Sequence, residues 1–244
     1  MVPVYTEVFY VKILLSLYLL FAVILTQFFA AYFFSKGRTS YRKVFTALVL
    51  CISVYLFGYL MIINTGNLQE MIFWNQFQYL GLSFIPTLWL LVALLYTKTI
   101  YTLRNRVVIL LFCIPVITFF LRLTNSWHHL FYVNWEMREI LGYFSLYLER
   151  GPWYYVNISY TILCLLLTII VYSLVYLKER VVHTRYHFLI FLFASLLPLI
   201  GVVLVIVASN VWAVDYAALV MPISFLIIGT CIGGLGVILG IPLG

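Results

Sequence analysis

Charge is scarce in this sequence. Only 9% of its residues are Asp, Glu, Lys or Arg, where an ordinary soluble domain has about 25%. No charged residue falls near the middle of any long apolar run. That argues against a proton-coupled pump or transporter, because ionisable groups at membrane depth are the usual mark of such pathways. The seventh apolar run has no Lys, so a retinal Schiff base would have no amine there. Walker, HExxH, GxSxG and nucleotide-fingerprint sequences are missing, so nothing in this chain reads as a catalytic centre. Cys51, Cys113, Cys164 and Cys231 all lie inside apolar runs without metal-site spacing. They read as small packing residues, and neither a metal nor a cofactor is expected.

What the sequence does have is apolar length. Hydrophobic residues make up 66% of it, in seven runs at about 8–34, 44–64, 71–96, 107–123, 154–177, 188–208 and 217–241. A helix rises ~1.5 Å per residue, so about 20 apolar residues cross a ~30 Å hydrocarbon core. The sequence therefore predicts an all-α, seven-transmembrane helix bundle, a single domain over residues 1–244. Ten of the 14 Lys and Arg fall on the connections at 35–43, 97–106 and 178–187. Cytosolic loops retain Lys and Arg, which puts the N-terminus outside and the C-terminus in the cytosol. Glu7 precedes the first Lys and the first apolar run is long, so that run is expected to be retained rather than cleaved. Lys12 and Arg122 lie near run ends and can snorkel to the interface. The net charge of +7 is membrane-flanking. It predicts contact with anionic lipid and no nucleic-acid partner.

The third run, MIFWNQFQYLGLSFIPTLWLLVALLY, carries Trp74, Asn75, Gln78 and Tyr79 at its outer end and Pro86 near its middle. Asn75, Gln78 or Tyr79, Leu82 and Pro86 share one helical face. Amides inside a membrane need partners, so this face should point into the bundle. Pro86 removes a backbone hydrogen bond and should kink the helix. One reading is a ligand pocket or gate in the outer leaflet. The other is interhelical hydrogen bonding, worth ~0.6 kcal/mol on average. In the fifth run, Trp153, Asn157, Tyr160 and Cys164 share a face, with Asn157 a turn inside the interfacial belt. The expected pocket brings Asn75, Gln78, Tyr79, Trp153, Asn157 and Tyr160 together beneath a loop containing Asn125, His128 and His129.

Between the fourth and fifth runs, alternation of Val133, Trp135 and Met137 with polar residues, then of Phe144, Leu146 and Leu148, predicts a short β-hairpin. Its apolar face would lie on the outer mouth as a lid; an interfacial amphipathic helix is the competing assignment. His183 and His187 sit four apart, with Glu179 four before them. The chain must reverse there, so one continuous helix presenting three metal ligands is not expected. In the seventh run Gly229, Gly233, Gly236 and Gly240 form a smooth stripe, read either as a homodimer seam or as close packing within the bundle.

The segments FWNQFQYLGLSFIPTLWLLVALLYT, TNSWHH and GPWYYVNISYTILCLLL, in that order and spacing, resemble the N-terminal seven-transmembrane sensor region of bacterial histidine kinases. The same module is similar to regions ahead of diguanylate cyclase domains. The resemblance implies an input module in the bacterial cytoplasmic membrane, which responds to an unknown small-molecule or lipid-like signal. It also implies a cytosolic effector as partner, with the enzymatic part outside this chain. No basic juxtamembrane stretch or phosphoacceptor His box follows the seventh run before Gly244. This reads either as an excised sensor or as a stand-alone relative acting through a partner. A carrier or accessory subunit for a neutral or apolar solute is the alternative function.

Overall fold

The computed structural model describes residues 3–36, 39–101, 106–140, 143–208 and 214–233. Its helices are α1 (Pro3–Ser35), α2 (Ser40–Asn64), α3 (Leu68–Leu82), α4 (Ile85–Tyr96), α5 (Arg106–Leu123) and α6 (Asn125–His128). Strands β1 (Tyr132–Ile140) and β2 (Tyr143–Arg150) follow, then α7 (Pro152–Lys178), α8 (Val182–Ala208) and α9 (Tyr216–Gly233). Counting α3 and α4 as one span, seven are long and apolar enough to cross a bilayer. The chain is a multi-pass membrane protein.

Pro86 explains why the third span is two helices. Its ring nitrogen cannot donate to the carbonyl of Leu82, so the helix opens one turn earlier. The break falls at Ser83 and Phe84, where the Phe84 amide bonds the Gly81 carbonyl at 2.9 Å. Helix α4 then restarts with Pro86 in its first turn, where a missing N–H costs nothing. The start of α3 is capped by Asn67, whose side chain accepts from the Gln69 amide at 2.9 Å.

Two glycines set α2 and α3 close together. A Cβ on Gly81 would overlap the Cys51 carbonyl. A Cβ on Gly58 would overlap the side chain of Gln78 and come within 3.1 Å of the Trp74 carbonyl oxygen. Backbones approach like this only where side chains are absent. The glycine stripe has a similar use at Gly229, which is buried in the bundle. A Cβ there would stand 3.0 Å from the ring of Phe29 on α1 and 3.2 Å from that of Phe45 on α2. At this position the stripe packs against helices of the same chain. The Gly233 carbonyl accepts from the Tyr32 hydroxyl at 2.9 Å. Gly236 and Gly240 lie outside the described residues.

The predicted hairpin is present. β1 and β2 pair antiparallel, with Trp135 opposite Leu148, Met137 opposite Leu146 and Glu139 opposite Phe144. Its tip at Leu141 and Gly142 lies outside the described residues. The apolar face is only partly turned inward. Trp135 and Leu148 pack against a buried cluster of Tyr79, Phe131, Tyr132 and Tyr154. Val133, Met137 and Phe144 are exposed. Val133 falls where the register shifts between Tyr132 and Asn134. Such a bulge interrupts the alternation and re-aims a side chain.

Helix α7 ends at Lys178 and α8 begins at Val182, so no continuous helix joins Glu179 to His187. The expectation of a chain reversal there holds.

Candidate functional site

A cavity of about 580 Å³ opens beneath the hairpin. Its walls come from α2, the α3–α4 break, α7, α8 and the start of α9, and β2 lies across it. Helix α3 contributes Asn75, Gln78, Tyr79 and Leu82, and Pro86 follows on α4. These residues are the face that the spacing singles out, and the broken helix keeps all of them on one wall. Asn75, Gln78 and Tyr79 are buried.

Helix α7 is rotated from the expected facing. Tyr154, Asn157, Ile158 and Thr161 line the cavity. Asn157 is therefore shared with the predicted face, but Trp153 and Tyr160 are not. Trp153 donates its indole N–H to Thr118 on α5 at 3.0 Å. The Tyr160 hydroxyl donates to the Leu111 carbonyl at 2.6 Å and meets Thr87 at 2.7 Å. Both residues tie α7 to its neighbours because a buried N–H or O–H needs a partner, and α5 and α4 supply one. Trp74 also lies outside the cavity, edge-to-face with Phe57 at 5.7 Å and Phe77 at 5.5 Å. Asn157 is half-buried, and its side-chain amide makes no hydrogen bond with the described residues. An amide left open on a membrane helix has hydrogen-bonding capacity to offer an occupant.

The short loop above the cavity is held by Asn125, which is wholly buried. Its carbonyl oxygen accepts from the amides of Phe131 and Tyr132 at 2.9 and 3.1 Å, and its amide donates to the Tyr132 carbonyl at 2.8 Å. Asn125 thus fixes the entry of β1. His128 accepts from the Leu130 amide at 3.0 Å and bonds Thr124 at 3.1 Å, while His129 is exposed in a left-handed turn with φ 52°. These three residues shape the loop; none lines the cavity.

Two buried charged residues at or beside the cavity escaped the sequence reading. Arg122 does not snorkel: it is 0% exposed. Its Nη2 donates to the Asn75 side-chain Oδ1 at 2.6 Å. Its guanidinium lies 4.5 Å from the Trp135 ring centroid, 5.0 Å from that of Tyr132 and 5.4 Å from that of Tyr79. Nε and Nη1 have no hydrogen-bond acceptor among the described residues. Ring faces surround the cation in place of an acid, and each such contact is worth ~2 kcal/mol when desolvated. The signal was the facing of α5: Thr118 and Arg122 are four apart on its buried side.

Asp215 is the second. It lines the cavity just before α9. One carboxylate oxygen caps the helix, accepting from the Ala217 amide at 3.1 Å. The other accepts from the Tyr55 hydroxyl at 2.5 Å. The Asp215 amide donates to the Tyr59 hydroxyl at 3.0 Å. Burial holds the Asp215 pKa above the ordinary carboxylate value, against the pull of its hydrogen bonds.

Arg122 and Asp215 are the ends of one polar chain. Asn75 donates to Gln78 at 3.1 Å, and Gln78 reaches the Tyr55 carbonyl at 3.4 Å. Tyr55 then bonds Asp215. The chain joins α5, α3, α2 and the start of α9. Beside it the Tyr79 and Tyr132 hydroxyls meet at 2.7 Å, coupling the hairpin to α3. Burial is the main reason the Tyr132 phenol is held protonated well above its usual range.

Among curated proteins none matches this chain significantly. The family model described as the N-terminal 7TM region of histidine kinase matches residues 18–238, nearly the whole sequence, and the chain belongs to that family.

Proposed function

We propose that this chain is the membrane-embedded input module of a two-component-type sensor, and that the cavity beneath the hairpin is where it receives its signal. The family to which it belongs is the sensor region of histidine kinases, and the match includes no catalytic domain. This supports a reading in which reception lies in this chain and a cytosolic effector carries the chemistry. The Lys- and Arg-rich connections lie at the end away from the hairpin, which supports a cavity opening outside.

The observation that carries the reading is the meeting of cavity and polar chain. Asn75, Gln78 and Asp215 line the cavity, and the same residues hold α5, α3, α2 and α9 together. An occupant that competes for these hydrogen bonds favours one packing of the helices over another. Only such differential binding lets a ligand shift an equilibrium. The cavity volume falls within the about 300–1,000 Å³ of small-molecule sites.

The test joins the chain to a kinase effector and compares wild type with Gln78→Leu and Asn157→Leu. Both variants should insert normally and lose regulated output. Wild-type output from both would remove the sensing role, and solute flux through vesicles would point to a carrier instead.

A further inference from the structure

The cavity has an uneven charge account. Four charged side chains line it: Arg138, Arg150, Glu149 and Asp215. Both cations are engaged. Arg138 pairs with Glu136 at 2.8 Å and lies 3.5 Å from the Tyr147 ring centroid. Arg150 donates to the Val205 carbonyl at 3.1 Å and lies over Tyr154 at 5.0 Å. Among the described residues no cation stands against Asp215 or Glu149. Asp215 is met only by hydroxyl and amide donors. A carboxylate in a low-dielectric wall, with helix amides and a phenol but no counter-ion, is a place where a positive charge gains most.

The surroundings suit such a charge. Tyr55 and Tyr59 bond Asp215 directly, and Tyr79, Tyr132 and Tyr154 line the same cavity. Ring faces attract cations, and aromatic enclosures are a standard means of holding ammonium groups. Part of the wall is apolar, with Ile62, Val202 and Met221. An anionic occupant finds less: Arg138 and Arg150 already have partners, and Arg122 is fully enclosed and does not line the cavity.

We propose that the cavity takes a small organic cation, with an ammonium-type head seated between the Asp215 carboxylate and the tyrosine rings and an apolar body against α8 and α9. This rests on the reading of the cavity as the signal-receiving site. Helix capping by Asp215 accounts for one carboxylate oxygen. It does not account for a second oxygen, held by Tyr55, on a cavity wall.

The experiment uses three probes of one skeleton and three charges: 2-phenylethylammonium, 2-phenylethanol and phenylacetate. The chain, in nanodiscs at neutral pH, is titrated with each while its unfolding temperature is followed. The ammonium probe should stabilise wild type with an apparent affinity about tenfold or more above the alcohol and the carboxylate. Asp215→Asn keeps an oxygen for the cap, and it should lower the ammonium affinity about tenfold and leave the alcohol unchanged. Glu149→Gln, at an exposed strand position, guards against a folding artefact and should cause a smaller loss for the ammonium probe alone. Equal shifts from all three probes, or undiminished ammonium binding in Asp215→Asn, would overturn the cation. If the alcohol or carboxylate binds as well as the ammonium and Asn157→Trp removes that binding, the cation falls and the cavity stands as a receptor. No shift from any probe also overturns the cation; the receptor reading is then decided separately, by output from the Gln78 and Asn157 variants.

Discussion

The guanidinium of Arg122 and the side-chain amide of Asn75 meet at 2.6 Å, both buried in the bundle, and among the described residues no acid pairs with Arg122. This contact joins the fourth span to the third. Through the three rings around it, it also joins both spans to the hairpin.

Replacing Arg122 should therefore loosen the hairpin before it unfolds the helices. The lost hydrogen bond to a charged group is worth about 1.5–3 kcal/mol, and the ring contacts add to this. Arg122→Met should speed amide exchange over residues 132–150 with smaller change in α8 and α9. Arg122→Lys should not restore protection, because a point charge cannot fill a planar site between rings. Unchanged exchange in both variants would mean that the hairpin is held some other way.

The Tyr79 and Tyr132 hydroxyls, 2.7 Å apart, give a second hairpin contact that can be measured directly. Tyr79→Phe and Tyr132→Phe should each destabilise by about 1 kcal/mol. The double variant should cost less than the sum, because either change alone already breaks the bond. Strict additivity would show that the two phenols do not depend on each other.

Asp215 sets a pH dependence. Burial raises its folded pKa above the unfolded value. A raised carboxyl pKa means that the folded state holds the proton more tightly. Its stabilising contribution is therefore present below the unfolded pKa and lost as pH rises through the folded one. Wild type should gain stability relative to Asp215→Asn as pH falls from neutral toward about 4. A difference that is flat with pH, or that grows on the alkaline side, contradicts the stated environment.

Much of this was readable in the sequence. Apolar length gave seven spans, and the face shared by Asn75, Gln78 and Leu82 gave one wall of the cavity. Alternation gave the hairpin. The rest was not readable, for identifiable reasons. The facing of α7 depends on which neighbours accept from Trp153 and Tyr160, and Thr118 and Leu111 lie far away in sequence. Arg122 sits one residue from its helix end, where snorkelling and burial are equally open to a long side chain. Asp215 looks like loop charge until Tyr55 and Tyr59, 160 and 156 residues away, are seen around it.

The glycines separate packing from association. Gly81→Leu should be strongly destabilising, because its side chain would run into the Cys51 carbonyl and force α2 and α3 apart. Overpacking typically costs about 1–3 kcal/mol, and a backbone neighbour cannot move aside. Gly229→Leu should lower stability similarly through Phe29 and Phe45, without altering self-association in a cross-linking assay. A selective loss of dimer in Gly229→Leu, with stability unchanged, would restore the seam.

The most direct test of the central claim uses position 157. Asn157→Cys is placed in a chain lacking its native cysteines, joined to a kinase effector, and coupled to a bulky thiol reagent. A filled cavity should lock the output in one state, whereas the same modification at Leu163, on the exposed face of α7, should leave regulation intact. Regulation that survives modification at 157, or that is lost equally at both positions, would contradict a signal received in the cavity.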